Sequence, residues 1–353
     1  MEVVVFGPGT GEAILVHCTG NEWLCVDCTT DEGRCWPSWY LAQLGAQASS
    51  CVRMIVATHW HSDHVKGLSR LIEECGNAQF VCSGALRSDE FKQIVARFST
   101  EEVGALRPPL SEVRRCFEIV ASRKGRSGYK APKFASSDRI LDKFLIGSRA
   151  VEVTALSPSD QDQLNALEAF AEYFVPVDQP TAGPSPIDQN HASVVVVIRV
   201  DDEFVLLGAD LERTASPHTG RNALIASATR PQFLATPFKV PHHGSSNGQS
   251  QDVWAKMLAP SAGAVVTPFL SSRLPRPEGL QWLLRRTSDV YATGIPSGAN
   301  VRRRPEVDRT IKETSVNFES LRIPQEPGIV RFRKVAGSKT PWNVETFGEA
   351  RKI

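Results

Sequence analysis

The stretch Thr58-His59-Trp60-His61-Ser62-Asp63-His64 constrains this chain more than any other. Four side chains able to bind a metal fall within six residues, directly after an apolar run at 52–57 with the length of a buried strand. Side chains alternate along an extended loop, so His59, His61 and Asp63 are expected on one side. His64 follows where the chain turns into an amphipathic stretch at 66–74, read as a helix. Imidazole and carboxylate are natural zinc donors. The spacing offers His59 and His61 to one ion, and Asp63 and His64 to a second. Four surface polar residues placed by chance would fit neither the density nor the spacing.

The other histidines sharpen this. Of the eight in the chain, six fall in three short clusters. His191 stands at the mouth of an apolar run ending at Val200, and His242-His243 follows the run Phe238-Lys239-Val240-Pro241. Asp210 follows Val205-Leu206-Leu207-Gly208-Ala209. Polar donors just past the ends of apolar strands suit a site at one edge of a sheet. His17 and His218 lack such context and read as structural or surface residues.

Around these motifs, strand and helix patterns alternate. Strands are expected at 2–6, 13–18, 23–27, 79–82 and 151–156, with helices at 36–45 and 160–173. Residues 88–140 are mostly helical in pattern and basic, and look like an insertion between two halves. Pro176, Pro180, Pro184 and Pro186 mark a long loop. The second half begins at Asn190. It has a hairpin across Asp201-Asp202, strands at 233–240, 262–267 and 290–293, and helices at 251–258 and 279–285. Two closing strands are expected at 328–334 and 341–345. The alternation favours an α/β architecture. The expected organisation is a main domain at 1–299, with the helical insertion at about 88–140, and a short C-terminal extension at 300–353 packed on it.

Composition bounds the remaining classes. Hydrophobic residues make up 41% and charged residues 22%, ordinary for a globular domain. A chain of 353 residues buries a full core without staples, so a metal here is expected to be catalytic. No basic leader precedes an apolar run, and no segment is long enough to span a bilayer. A cytoplasmic location without a membrane partner is expected. All eight cysteines lie between Cys18 and Cys116, and disulfides are not expected in that compartment. Cys25 and Cys28 form a C-x-x-C flanked by Cys18 and Cys35. Because Cys25 lies in an apolar, strand-like run, these read as core cysteines rather than a zinc site. The net charge of +1 marks no nucleic-acid binder. Basic residues do cluster at 114–139 and at Arg302-Arg303-Arg304, where phosphate contact and a solvated loop fit equally well.

The ordered set His-x-His-x-Asp-His, His, Asp, His, each at a strand end, resembles the metallo-β-lactamase superfamily over about residues 1–299. The resemblance implies a four-layer αβ/βα sandwich with its metals at one edge. It also implies that Asp27 braces a metal-ligand histidine from behind. Within the superfamily, Phe6-Gly7-Pro8-Gly9-Thr10-Gly11-Glu12-Ala13, Asn190-His191-Ala192-Ser193 and Lys239-Val240-Pro241-His242-His243-Gly244-Ser245-Ser246 are similar to motifs of the hydrolase domain of the competence protein ComEC. Val290-Tyr291-Ala292-Thr293-Gly294 resembles its closing strand more weakly. ComEC domains often have Asp where His61 stands and Asn where His191 stands, and this chain keeps both histidines. The membrane-spanning portions of ComEC are missing from the sequence.

Carried over by position, His59, His61 and His191 take one ion, and Asp63, His64 and one of the His242-His243 pair, His243 favoured over His242, take the other. Asp210 bridges both. His242 is assigned to phosphate contact, and Lys239 either stabilises developing charge or is an ordinary strand-end lysine. Two Zn²⁺ per chain are expected, with Mn²⁺ the other candidate, activating a bridging water for attack on phosphorus or carbonyl carbon. Asp210, Asp63 and His242 are the expected catalytic residues. The favoured substrate is a phosphodiester, with DNA the expected polymer, and stand-alone relatives of this type hint at a bacterial defence setting. Two alternatives stand beside it: a hydrolase of a small phosphoester or lactone, and a non-catalytic interaction protein. The intact donor set argues against the last.

Overall fold

Apolar residues in the strands alternate between two faces, and both faces are buried. This follows from strand period and requires cover on each side. The computed structural model describes residues 1–7, 9–31, 33–98, 107–172, 189–294, 328–335 and 337–353. The expected proline-marked loop and the Arg302-Arg303-Arg304 cluster lie outside them.

The first half runs β1 (Glu2–Gly7), β2 (Ala13–Thr19), β3 (Glu22–Val26), a small hairpin of β4 (Thr30–Asp31) and β5 (Arg34–Cys35), α1 (Trp36–Gln43) and α2 (Ala48–Cys51). It continues with β6 (Val52–Ala57), α3 (Ser62–Val65), α4 (Leu68–Glu74), β7 (Gln79–Ser83), α5 (Asp89–Phe98), α6 (Arg107–Ser122) and β8 (Lys133–Ala135). The second half runs β9 (Arg139–Ile146), β10 (Arg149–Ala155), α7 (Asp160–Glu172), β11 (Val196–Val200), β12 (Glu203–Leu207), α8 (Gly220–Ala226) and β13 (Ala235–Lys239). Then come α9 (Gln251–Met257), β14 (Leu258–Val266), α10 (Pro277–Leu284), β15 (Val290–Ala292), β16 (Gly328–Arg333), β17 (Asn343–Phe347) and β18 (Arg351–Lys352).

Two eight-stranded sheets result, in the orders β17-β16-β1-β2-β3-β6-β7-β8 and β18-β15-β14-β13-β12-β11-β10-β9. Val3, Val5, Ile14, Val16, Met54 and Val56 of the first sheet meet Val151, Val196, Ile198 and Val205 of the second in one core between the sheets. The alternate residues Val4, Phe6, Leu15 and Ile55 face outward, into a second core with Leu41, Leu71 and Phe91. Val197, Leu206 and Val266 of the second sheet face a third core with Leu224, Val253 and Leu283. Three cores separate four layers, the αβ/βα sandwich that the resemblance implies.

Two further regions join the layers. The basic stretch after Ser88 contributes Phe91, Ile94, Leu110, Val113 and Cys116 to the outer core, and β8 within it pairs in parallel with β7. It is therefore a layer of the sandwich as well as a helical segment. The C-terminal strands are sheet members too: β16 lies between β17 and β1 in one sheet, while β18 pairs with β15 in the other. The four-cysteine arrangement is excluded by alternation. Cys18 faces the core between the sheets, whereas Cys25, Cys28 and Cys35 face the outer one.

Strands β3, β6, β7 and β8 run parallel to one another, as do β12 to β15. Ligands bind beyond the carboxyl ends of parallel strands. Asp27, His59, Asp210, His243 and Thr267 each follow the end of one: β3, β6, β12, β13 and β14 in turn.

Candidate metal centre

The loop after β6 is extended as expected. His59 and His61 turn to one side, their ring nitrogens 3.0 Å apart. Trp60 between them turns to the other and is buried against Phe91 and Phe170. Asp63 arrives differently from expectation, because α3 has already begun at Ser62 and Asp63 sits in its first turn. Asp27 holds this loop. Its Oδ1 accepts the Thr58 backbone N–H at 2.8 Å, and its Oδ2 accepts the Thr58 hydroxyl and His64 Nδ1, each at 2.7 Å. A carboxylate accepts only, so His64 carries its proton on Nδ1 and directs Nε2 inward.

The second sheet supplies the other donors from sharp bends. Ala209, His242 and His243 have φ of 45°, 46° and 50°, a left-handed conformation that costs non-glycine residues about 1–3 kcal/mol each. Gly244 continues the bend at φ 78°, where an added Cβ would fall 2.9 Å from Val266 and Pro275. His243 Nδ1 donates to the Thr267 carbonyl at 2.9 Å, and its ring stacks on Phe269. Its Nε2 then lies 3.0 Å from Asp63 Oδ2 and 3.5 Å from Asp210 Oδ2. His64 Nε2 lies 3.5 Å and 3.4 Å from the same two carboxylates. His59 Nε2 is 4.0 Å from Asp210 Oδ2, so Asp210 stands at the middle of the group.

The electrostatics suit a cation. Burial pushes the imidazoles of His59 and His61 down, His59 furthest. Burial also opposes charge on His64, but Asp210, Asp63, Asp27 and Glu12 outweigh it and hold this imidazole well above the ordinary value. Burial would raise Asp63 and Asp210; instead His64 and His243 keep both carboxyls below the usual range. A divalent ion held by His64 Nε2 would take the place of a proton there. His64 Nε2 and Asp210 Oδ1 are buried without a hydrogen-bond partner among the described residues, where such atoms are normally paired. One donor atom each from Glu12, His64, Asp210 and His243 lies within 4.8 Å of the others. Imidazole and carboxylate donors with unsatisfied inward atoms fit a divalent ion.

The remaining expected residues fall beside this group. His191 lies half-buried on a 3-10 turn, Asn190–Ala192, next to Asn190, whose Nδ2 donates to Glu212 at 2.8 Å. His242 is held by Glu212 and Asn247, each 3.0 Å from Nδ1, and its side chain remains 19% exposed. Lys239 fits neither expected role. It is 1% exposed and bonds inward to Glu12 at 2.7 Å and to the Val240 carbonyl at 2.9 Å. Glu12 and Glu212 were missed as site residues. The available signal for Glu12 was an acid opening the apolar strand β2. An apolar cavity of about 460 Å³ between α5, α6 and β8 is lined by none of the candidate metal donors named above.

No protein-family model and no curated protein matches the chain. Among solved structures it is similar to Zn²⁺-bound PqqB from Methylobacterium extorquens, at 10% identity over 84% of this chain and 98% of that one, with a TM-score of 0.40. It is also similar to the metallo-β-lactamase GOB-18 from Elizabethkingia meningoseptica, at 14% identity over 58% of each chain and a TM-score of 0.29. A metallo-β-lactamase from Pontibacter korlensis gives 15% identity over 58% of this chain and 62% of that one, with a TM-score of 0.26. The architecture and the donor set rest on the geometry above rather than on these likenesses.

Proposed function

We propose that the chain is a metal-dependent hydrolase of the metallo-β-lactamase type, acting on phosphodiesters with DNA as the substrate class. The hydrolase reading is carried by one observation: His64, His243, Asp63 and Asp210 converge at a buried point where two buried atoms, His64 Nε2 and Asp210 Oδ1, lack hydrogen-bond partners among the described residues. In this reading His59, His61 and His191 would hold one ion, Asp63, His64 and His243 would hold a second, and Asp210 would serve both. Zinc suits these donors, and manganese is the alternative. Such ions supply an acidified water as nucleophile and positive charge opposite the developing oxyanion.

The chain's own residues do the rest. Asp27 and Thr267 fix the two imidazoles whose Nε2 atoms face inward. Burial opposes a proton on His242, but Glu212 outweighs it and raises this imidazole. In this reading the partly exposed His242, its proton favoured by Glu212, donates to a phosphate or leaving-group oxygen. The ComEC-like motifs and the basic residues at 114–139 support the phosphodiester. A small phosphoester or lactone is the second reading, favoured by how that basic charge is used. Arg123 bonds the Ile72 carbonyl, Lys133 the Leu141 carbonyl, Arg139 the Phe134 carbonyl, and Arg114 pairs with Glu118.

Hydrolysis of end-labelled single- and double-stranded DNA with Zn²⁺ or Mn²⁺, beside Asp210→Ala, tests the proposal. Metal-dependent cleavage lost in the variant is the expected outcome. Absence of cleavage by metal-loaded protein would rule out DNA and favour the small-ester reading.

A further inference from the structure

Glu12 and Lys239 form an ion pair with both side chains buried. Burying two charges is costly, and apolar residues of similar volume serve stability at least as well. The pair therefore calls for a reason in its location, and that location is directly behind the metal centre. Glu12 Oε2 lies 3.6 Å from His243 Nδ1, and Oε1 lies 3.9 Å from His64 Nδ1. These are the nitrogens facing away from Asp63 and Asp210. They already donate to Thr267 and Asp27, so Glu12 is on the wrong side of both rings to share an ion with their Nε2 atoms. Thr267 links the two features: its hydroxyl donates to Glu12 Oε2 at 2.5 Å, leaving the hydroxyl oxygen free to accept from His243 Nδ1 at 3.1 Å. Glu12 is tied to the donor loop as well, because its backbone N–H donates to the Asp63 carbonyl at 2.9 Å. Gly11 allows that approach, since a Cβ there would fall 2.5 Å from the same carbonyl oxygen.

We propose that Glu12 is a positioning residue of the metal centre, a single carboxylate behind both His64 and His243 that strengthens them as donors, and that Lys239, paired with it, holds it in that place. A carboxylate facing the outer N–H of a ligating imidazole raises its basicity, and loss of such a partner typically lowers metal affinity about 10–100-fold. The inference rests on the metal reading of the site.

The test uses full-length Glu12→Gln, Lys239→Met and the charge-balanced double variant. Two quantities are measured for each: the melting temperature of the metal-free protein, and Zn²⁺ affinity by competition with a chromophoric chelator. Each single variant leaves one buried charge unpaired and is expected to melt lower. The double variant removes both charges and is expected to recover the melting temperature while binding Zn²⁺ about 10–100-fold more weakly than the parent. Recovery of both quantities would reduce the pair to a structural element and overturn the proposal. Co²⁺ provides a second readout, with the absorption bands of the bound ion expected to shift in the double variant and an unchanged spectrum counting against it. A parent protein that binds no metal would remove the metal reading itself. A parent that binds while all variants bind equally well would remove only the role of Glu12.

Discussion

The two halves of the sandwich reach the candidate metal centre by different routes. The first half delivers His59, His61, Asp63 and His64 on one short loop, and none of them has a left-handed backbone. The second half delivers Asp210 and His243 from two strand ends and bends sharply at Ala209, His242 and His243 to do so. Donors that are close in sequence can converge with an ordinary backbone, provided something clamps the loop, and Asp27 does this with three hydrogen bonds. Donors that are far apart must each be aimed separately, and strained bends held by packing do the aiming. The second half gains a further group from its bend. His242, next to His243, points to a different set of partners and stays partly exposed.

The difference between these neighbours gives the largest expected effect. His242→Ala should lower turnover by about 10²–10⁴-fold, the range for a positioned proton donor, with metal content unchanged. Metal loss in that variant would show that the two histidines share one role. A smaller effect probes the clamp of the first half. Asp27→Asn keeps the shape but turns an acceptor toward a donor, and Zn²⁺ affinity should fall about 10–100-fold; unchanged affinity would mean the loop holds itself. The smallest effect is on stability against pH, followed by thermal melts of metal-free and metal-loaded protein. Asp63 and Asp210 are held below the ordinary carboxylate range. Their contribution is present above about pH 4 and lost as pH falls below it. His64 is raised, so its contribution is present below about pH 6.5 and lost as pH rises through its folded value. Metal-free protein should thus be most stable between these limits and melt about 2–4 °C lower per kcal/mol lost on the alkaline side. Bound metal displaces the His64 proton and should remove that alkaline loss. Equal alkaline slopes with and without metal would place the ion elsewhere.

How much was legible in the sequence follows the same division. The contiguous loop could be read from spacing alone, and β6 falls where its apolar run predicts, Val52–Ala57. The separate residues of the second half were legible only as polar residues ending apolar runs, which singled out Asp210 and the His242-His243 pair, left the choice of His243 to the resemblance, and left the Lys239 role open. The Glu12–Lys239 pair was invisible, because neither residue marks its partner in a sequence and only the packed sheets bring them together. Strands β8 and β9 were missed for a different reason. β8 has three residues, too few for a period. β9 exposes Ile140 and Leu145, so its alternation does not mark a buried face.

Metal stoichiometry by native mass spectrometry, for the parent and Asp210→Ala side by side, tests the central claim most directly. Two divalent ions per parent chain, with loss of one or both in the variant, is the predicted result. A parent chain without metal, after reconstitution with Zn²⁺ or Mn²⁺ under conditions where it stays folded, would contradict the account.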